Sequence, residues 1–230
     1  MENHYKVPSF YFCGKFTADA PLFQDFPRKI FQKGDTLSTY GAINNTAYYI
    51  QQGVLRFSLS HENGGEKTVG LFGPGSIYPI GVERHHHKMD FEMILAAFTN
   101  LEVTPVSYQQ LRALAGEHRD FALRLLEDDC DFISYLFYTS TSLAFAPCLN
   151  RICDVLYLSL PAGHPSQAFT VKMTQELLAT LVGASSAQVE RALRQMREEK
   201  IIRTLRGEIR VLDEKKLLEH CSDSVRSSFS

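Results

Sequence analysis

Between residues 185 and 206 the chain concentrates side chains that recognise rather than catalyse. Gln188, Glu190, Arg191, Arg194, Arg197, Arg203 and Arg206 fall within this stretch. Arg serves both phosphate positioning and guanine readout, Gln suits adenine, and Glu suits cytosine. The flanking residues predict the scaffold. Thr174 can cap a helix whose apolar stripe is Leu177, Leu178, Leu181 and Val182, and Gly183 suits the left-handed turn that ends it. Ser185 opens a second helix. Gln188, three residues on, completes a capping box of the S-x-x-Q type. Val189, Leu193 and Met196 turn that helix toward a core. Two helices joined by a tight Gly turn make a helix-turn-helix, whose second helix enters the DNA major groove. Ile201-Ile202 packs beneath, and Arg203 to Leu212 reads as strand–turn–strand around Arg206-Gly207, a wing. The candidate DNA contacts are Thr174, Gln175, Ser185, Ser186, Gln188, Glu190, Arg191, Arg194 and Arg206.

Two other groups could carry chemistry. His85 and His87 share a face if the run His85-His86-His87 is extended, and Glu92 follows at the spacing HxHx4E. That resembles the first metal motif of cupins, which hold iron or manganese through His, His and Glu. A second His motif is wanting, since the next His is His118, and a solvated loop is the simpler reading. The cysteines are Cys13, Cys130, Cys148, Cys153 and Cys221. Their odd number, wide spacing and lack of any CxxC argue against a disulfide framework or a thiolate metal site, and a reduced cytoplasm is the simplest setting. Cys148 and Cys153 do not share one helix face and read as structural thiols.

The elements that must position these groups follow from patterning. The chain has 230 residues, 44% hydrophobic and 22% charged, with a formal net charge of -2. This is globular usage, and no global basic charge is present. Charge nevertheless varies along the chain: -1 over residues 1–107, -3 over 108–169 and +2 over 170–230. Residues 28–107 read as short strands punctuated by Lys33-Gly34-Asp35, Gln52-Gly53, Asn63-Gly64-Gly65 and Gly73-Pro74-Gly75, a barrel or sandwich, with Asn63-Gly64 a hairpin signal. Residues 108–144 lack Pro, and Leu114, Leu125 and Leu136, like Phe121, Phe132 and Leu143, recur every 11 residues. The spacing predicts one long helix that overhangs a small domain and serves as a dimer seam. Ala146-Pro147 ends it, a second helix follows at about 148–160, and residues 161–166 form a loop. No segment is long and apolar enough for a membrane span, and the N-terminus lacks the pattern of a signal peptide.

The stretches KGDTLSTYGAINNTAYYIQQGVLRFSLSHENGGEK, LFGPGSI and TQELLATLVGASSAQVERALRQM together resemble the Crp/Fnr family of bacterial transcription regulators, from about residue 30 to 213. The resemblance implies an α+β fold: an N-terminal β-roll (a cyclic-nucleotide-binding-like jelly roll), a long dimerisation helix and a C-terminal winged helix-turn-helix. The expected domains are an effector-sensing roll at 1–107, the dimerisation helix and hinge at 108–146, and the DNA-binding domain at 147–230. It also implies a homodimer on a palindromic double-stranded operator, contact with RNA polymerase, and no enzymatic activity. Arg191 matches the family's base-reading Arg. Many members carry Glu where this chain has Ala187, and Ser or Gly where it has Glu190. The operator is therefore expected to differ, with Ser186, Gln188 and Glu190 as candidates for the changed readout.

The sensor half departs from the cyclic-nucleotide members. Tyr78-Pro79-Ile80 lacks their Glu, and the positions of their Arg-Ser pair fall at Phe91-Glu92, which cannot neutralise a phosphate. Their purine-contacting pair falls at Leu136-Phe137. Cyclic AMP is not the expected effector, and no cofactor is required. The aromatic residues either pack the interior or line an effector pocket formed by Tyr78, Phe91, Phe132, Tyr135, Leu136 and Phe137, suited to a hydrophobic ligand. Two alternatives stand beside a regulator controlled by such an effector. One is a cupin-like metal enzyme using His85, His87 and Glu92; the other is a regulator that acts constitutively.

Overall fold

The computed structural model describes residues 9–39, 45–80, 91–159 and 169–229. The His85–His87 run and the loop expected at 161–166 lie outside the described residues. By its internal contacts the chain divides into a unit over Phe10–Ile133 and a unit over Ser134–Ser230.

Among the described residues the first unit forms a roll of nine strands: β1 (Tyr11–Phe12), β2 (Lys29–Phe31), β3 (Thr36–Thr39), β4 (Thr46–Gln52), β5 (Leu55–His61), β6 (Glu66–Phe72), β7 (Ile77–Tyr78), β8 (Phe91–Ala97) and β9 (Leu101–Ser107). They form a five-stranded sheet in the order β1-β6-β5-β8-β3 and a four-stranded sheet in the order β2-β9-β4-β7. β5 and β6 pair antiparallel across the expected hairpin. Gly64 supplies the positive φ of 82° that this turn needs, and Asn63 Oδ1 accepts the Gly65 amide at 2.9 Å. At Gly53 (φ 86°) a Cβ would stand 2.1 Å from the Asn100 carbonyl oxygen, so only glycine fits there. One apolar cluster gathers Phe16, Phe23, Ala47, Tyr49, Ile77, Val106, Leu111, Phe121 and Leu125; a second gathers Tyr48, Ile50, Leu55, Phe57, Phe72, Leu95, Leu101 and Val103.

The expected single helix over 108–144 is two helices, α1 (Tyr108–Glu117) and α2 (Arg119–Phe145). His118 caps α1 in an extended conformation (φ -122°, ψ 92°). No Pro marks the break, so apolar periodicity reads straight across it. α1 starts in a capping box between Ser107 and Gln110. On α2, Phe121, Leu125, Asp128 and Tyr135 are buried, with Phe132 partly so. Leu123, Leu126, Ile133, Leu136, Phe137 and Leu143 are exposed, Leu136 and Leu143 being the last members of the two 11-residue sets. Arg124 grips the buried Asp19 through Nε at 2.8 Å and Nη2 at 2.5 Å.

The second unit contains the end of α2, then α3 (Cys148–Leu158), β10 (Phe169–Val171), α4 (Gln175–Val182), α5 (Ser186–Glu198), β11 (Ile202–Leu205), β12 (Glu208–Val211), α6 (Glu214–Glu219) and α7 (Asp223–Phe229). Its sheet runs β10-β12-β11, all antiparallel. Ile152, Leu156, Leu178, Val189, Leu193, Ile201, Leu217 and Val225 are fully buried and form the interior on which the helices α3 to α7 and the sheet close. The buried Asp154 accepts from Tyr138 Oη and from the Ser222 amide, both at 2.8 Å, which ties the end of α2 and the start of α7 to α3.

Candidate nucleic-acid interface

Local sequence builds the two-helix motif. Thr174 Oγ1 accepts the Leu177 amide at 3.1 Å and starts α4. Gly183 ends it in the left-handed region, φ 61° and ψ 49°. Ser185 Oγ accepts the Gln188 amide at 3.3 Å, while Gln188 Oε1 accepts the Ser185 amide at 2.9 Å. Both donors that would otherwise be left unpaired at the start of α5 are therefore satisfied. Val189, Ala192, Leu193 and Met196 form its buried face.

The polar residues of α5 divide by what they touch. Arg191 and Arg194 are exposed, as are Ser186 and Ala187. Gln188 gives its amide oxygen to the cap. Glu190 Oε1 accepts from Arg197 Nη2 at 2.8 Å. This bond, with help from Arg194 and Gln175, holds the Glu190 carboxyl below the ordinary carboxylate range. Arg197 Nη1 also reaches Thr204 Oγ1 at 3.4 Å and so links α5 to β11. Gln188 and Glu190, the expected candidates for a changed base readout, each have one side-chain oxygen bonded within the protein; Gln188 is exposed and Glu190 half-buried. Thr174 and Ser185 likewise serve as caps, and Gln175 is exposed in the first turn of α4.

Beyond α5, β11 and β12 form the wing expected around Arg206-Gly207. Gly207 supplies φ 73° at the turn, and Arg206 is exposed beside it. Arg203 pairs across the ladder with Arg210, and both are exposed. Sequence reasoning missed Arg210. Its signal was the alternation Ile209–Arg210–Val211, buried–exposed–buried, which sets it on the same face as Arg203.

Of the six residues expected to line an effector pocket, Tyr78, Phe91 and Phe132 belong to the first unit and Tyr135, Leu136 and Phe137 to the second. Tyr78 stacks on Phe72 with centroids 4.0 Å apart, and lies 5.3 Å from Phe57 and 5.5 Å from Phe132. Phe132 also meets Phe12 at 5.5 Å and Phe72 at 5.9 Å. Tyr78 and Phe132 thus sit in one aromatic cluster of the roll. Burial pushes the Tyr78 hydroxyl far above its ordinary range. Phe91 opens β8 opposite His61 and is exposed, as are Leu136 and Phe137. Tyr135 is buried. Glu92, the third member of the candidate metal motif, is exposed opposite Ser60; His85 and His87 are outside the described residues. Among the described residues no group of three or more His, Cys, Asp or Glu could hold a metal ion. Cys153 is buried, and Cys148 is half-buried at the start of α3.

Comparison with known proteins agrees with this geometry. A family model described as a Crp-like helix-turn-helix domain matches residues 150–220. The Global nitrogen regulator of Synechocystis sp. is 23% identical over 209 residues, covering 85% of this chain and 93% of that protein. The cAMP-activated global transcriptional regulator CRP of Salmonella typhimurium is 25% identical over 173 residues, covering 73% of this chain and 80% of that protein. Among solved structures, a mutant of CooA from Carboxydothermus hydrogenoformans superimposes with a TM-score of 0.74 at 17% identity, over 88% of this chain and 90% of that one, and shows the shared fold. The two curated relatives are named as regulators. The chain thus carries a Crp-like helix-turn-helix domain over residues 150–220 and is similar along most of its length to regulators of the Crp/Fnr type.

Proposed function

We propose that the protein is a homodimeric regulator that binds an inverted-repeat operator, with α5 of each subunit in the major groove. The observation that carries this reading is the outward face of α5. It presents Arg191 and Arg194 opposite the buried Val189, Leu193 and Met196, with the exposed Arg203, Arg206 and Arg210 on the wing that follows. The capped start of α4, at Thr174 and Gln175, supports phosphate contact, which sets register without reading sequence. The dimer reading rests on α2, where the exposed Leu123, Leu126, Cys130, Ile133 and Phe137 repeat at the 3-4-3-4 spacing of a two-helix seam. The setting is the cytoplasm, with RNA polymerase as the onward partner. Among the described residues no helix is long and apolar enough to cross a membrane.

The effector is a hydrophobic compound rather than a cyclic nucleotide, sensed at the aromatic cluster of the roll and transmitted as a shift in hinge populations near Phe145-Ala146-Pro147. The exposed Phe91 and Glu92 support the exclusion, since neither can pair with a phosphate. A second reading is favoured by the stacking of Phe72, Tyr78 and Phe132, which fill their own space: the protein binds DNA without any effector. Fluorescence anisotropy with an enriched operator, with and without added compounds, tests both. Tight binding by the protein alone supports the second reading; binding only after addition supports the first.

A further inference from the structure

The buried face of α5 fixes its outermost line. At 100° per residue, the direction opposite Val189, Ala192, Leu193 and Met196 passes within about 30° of Ala187, Arg191, Arg194 and Glu198. Ser186, Gln188 and Glu190 lie roughly 70–110° from that direction on the same count. Their chemistry agrees with their position. Gln188 is held in the cap at 2.9 Å from the Ser185 amide, and Glu190 is held by Arg197 at 2.8 Å. Recognition helices contact bases with their N-terminal residues. Since α5 begins at Ser186, Ala187 and Arg191 are the outward residues of its first two turns. Arg194 follows a turn later, where backbone phosphates are met.

We propose that Ala187 is a specificity-determining residue that reads the C5-methyl group of a thymine, within two base steps of the pair contacted by Arg191. The inference rests on the reading of α5 as the recognition helix. Ala187 ends in a methyl group with no donor or acceptor, and it is exposed. Against a cytosine amino group or an adenine edge it would strip water from a polar group and return no hydrogen bond. Against thymine it meets the one apolar group in the major groove. Ala187 and Arg191 are four residues apart, about 6 Å along the helix at 1.5 Å per residue. With stacked bases about 3.4 Å apart, their targets fall within two steps.

The test uses the full-length protein and an operator enriched from random DNA. Each thymine of the half-site is replaced in turn by uracil, which lacks only the methyl group. For the wild type, one such replacement is expected to weaken binding about fourfold per half-site, the value of one buried methylene-sized group. For Ala187→Gly the same replacement has no effect. Because glycine loosens a helix, Ala187→Gln provides a second reading, and its enriched half-site is expected to change to adenine at that position. Glu190→Gln is expected to leave the enriched sequence unchanged. The proposal is overturned if no uracil substitution weakens wild-type binding, if Ala187→Gln enriches the wild-type sequence, or if Glu190→Gln changes the base selected. Failure of the wild type to enrich any sequence, with or without added hydrophobic compounds, would instead overturn the recognition-helix reading, and the proposal with it.

Discussion

Arg191 and Arg197 stand six residues apart on one helix and have different tasks. Arg197 is bound to Glu190 and Thr204 within the protein, whereas Arg191 is exposed on the outward line. Arg191→Ala should therefore cost about 1–3 kcal/mol of operator affinity per half-site at fixed salt and relax specificity there. Arg197→Ala should lower thermal stability while leaving the preferred base unchanged. Anisotropy titrations with matched and scrambled duplexes, set beside melting curves, separate the two. Asp128 makes a different prediction. It is 6% exposed, and burial first, then Asp131 and Asp129, push its carboxyl up to about 6 from 3.8, against the pull of Lys15. A carboxyl that keeps its proton longer in the folded state than in the unfolded chain favours folding at low pH. Its contribution is complete below about pH 4 and is lost as pH rises to about 6, on the order of 3 kcal/mol in total. Urea unfolding at several pH values should show this slope in the wild type and its loss in Asp128→Asn. An unchanged slope would remove Asp128 from the account.

At the scale of elements, what the sequence made legible was local. The cap at Thr174, the left-handed Gly183, the Ser185–Gln188 box and the Gly207 turn each depend on residues within a few positions of one another, and each is found as expected. Ser185→Ala should cost about 1 kcal/mol of stability, since it leaves the Gln188 amide without its acceptor; a melting curve checks this. The break at His118 was not legible, because a single extended residue leaves helical periodicity intact on both sides. Nor were the fates of Gln188 and Glu190. Spacing assigns a residue to a helix face but does not reveal that Arg197, two turns on, will occupy its carboxylate. The aromatic residues cannot be told apart by spacing alone for a related reason. Phe132 and Phe137 are five apart on α2, so one meets Tyr78 while the other is exposed. The outward stripe of α2 predicts that Phe137→Glu, which places like charges opposite each other across a two-fold seam, shifts the protein from dimer to monomer in sedimentation velocity. A wild type that sediments as a monomer would contradict the seam.

At the scale of the molecule, a net charge of -2 hides a strong local contrast. The arginines proposed to meet DNA are gathered on α5 and the wing, so affinity is expected to fall steeply with salt despite the acidic whole. Arg206→Ala should reduce the slope of log affinity against log salt by about one per half-site, with little change in base preference. The core of the roll is apolar and aromatic, and its proposed part is to bias the dimer rather than to grip DNA. The most direct test of the whole account is selection of binding sites from a random duplex pool by the purified, untagged protein. The account predicts an inverted repeat whose half-sites are centred about one helical turn apart, each holding a guanine for Arg191 and a thymine beside it. Enrichment of an asymmetric single site, or of no sequence with or without added hydrophobic compounds, would contradict it.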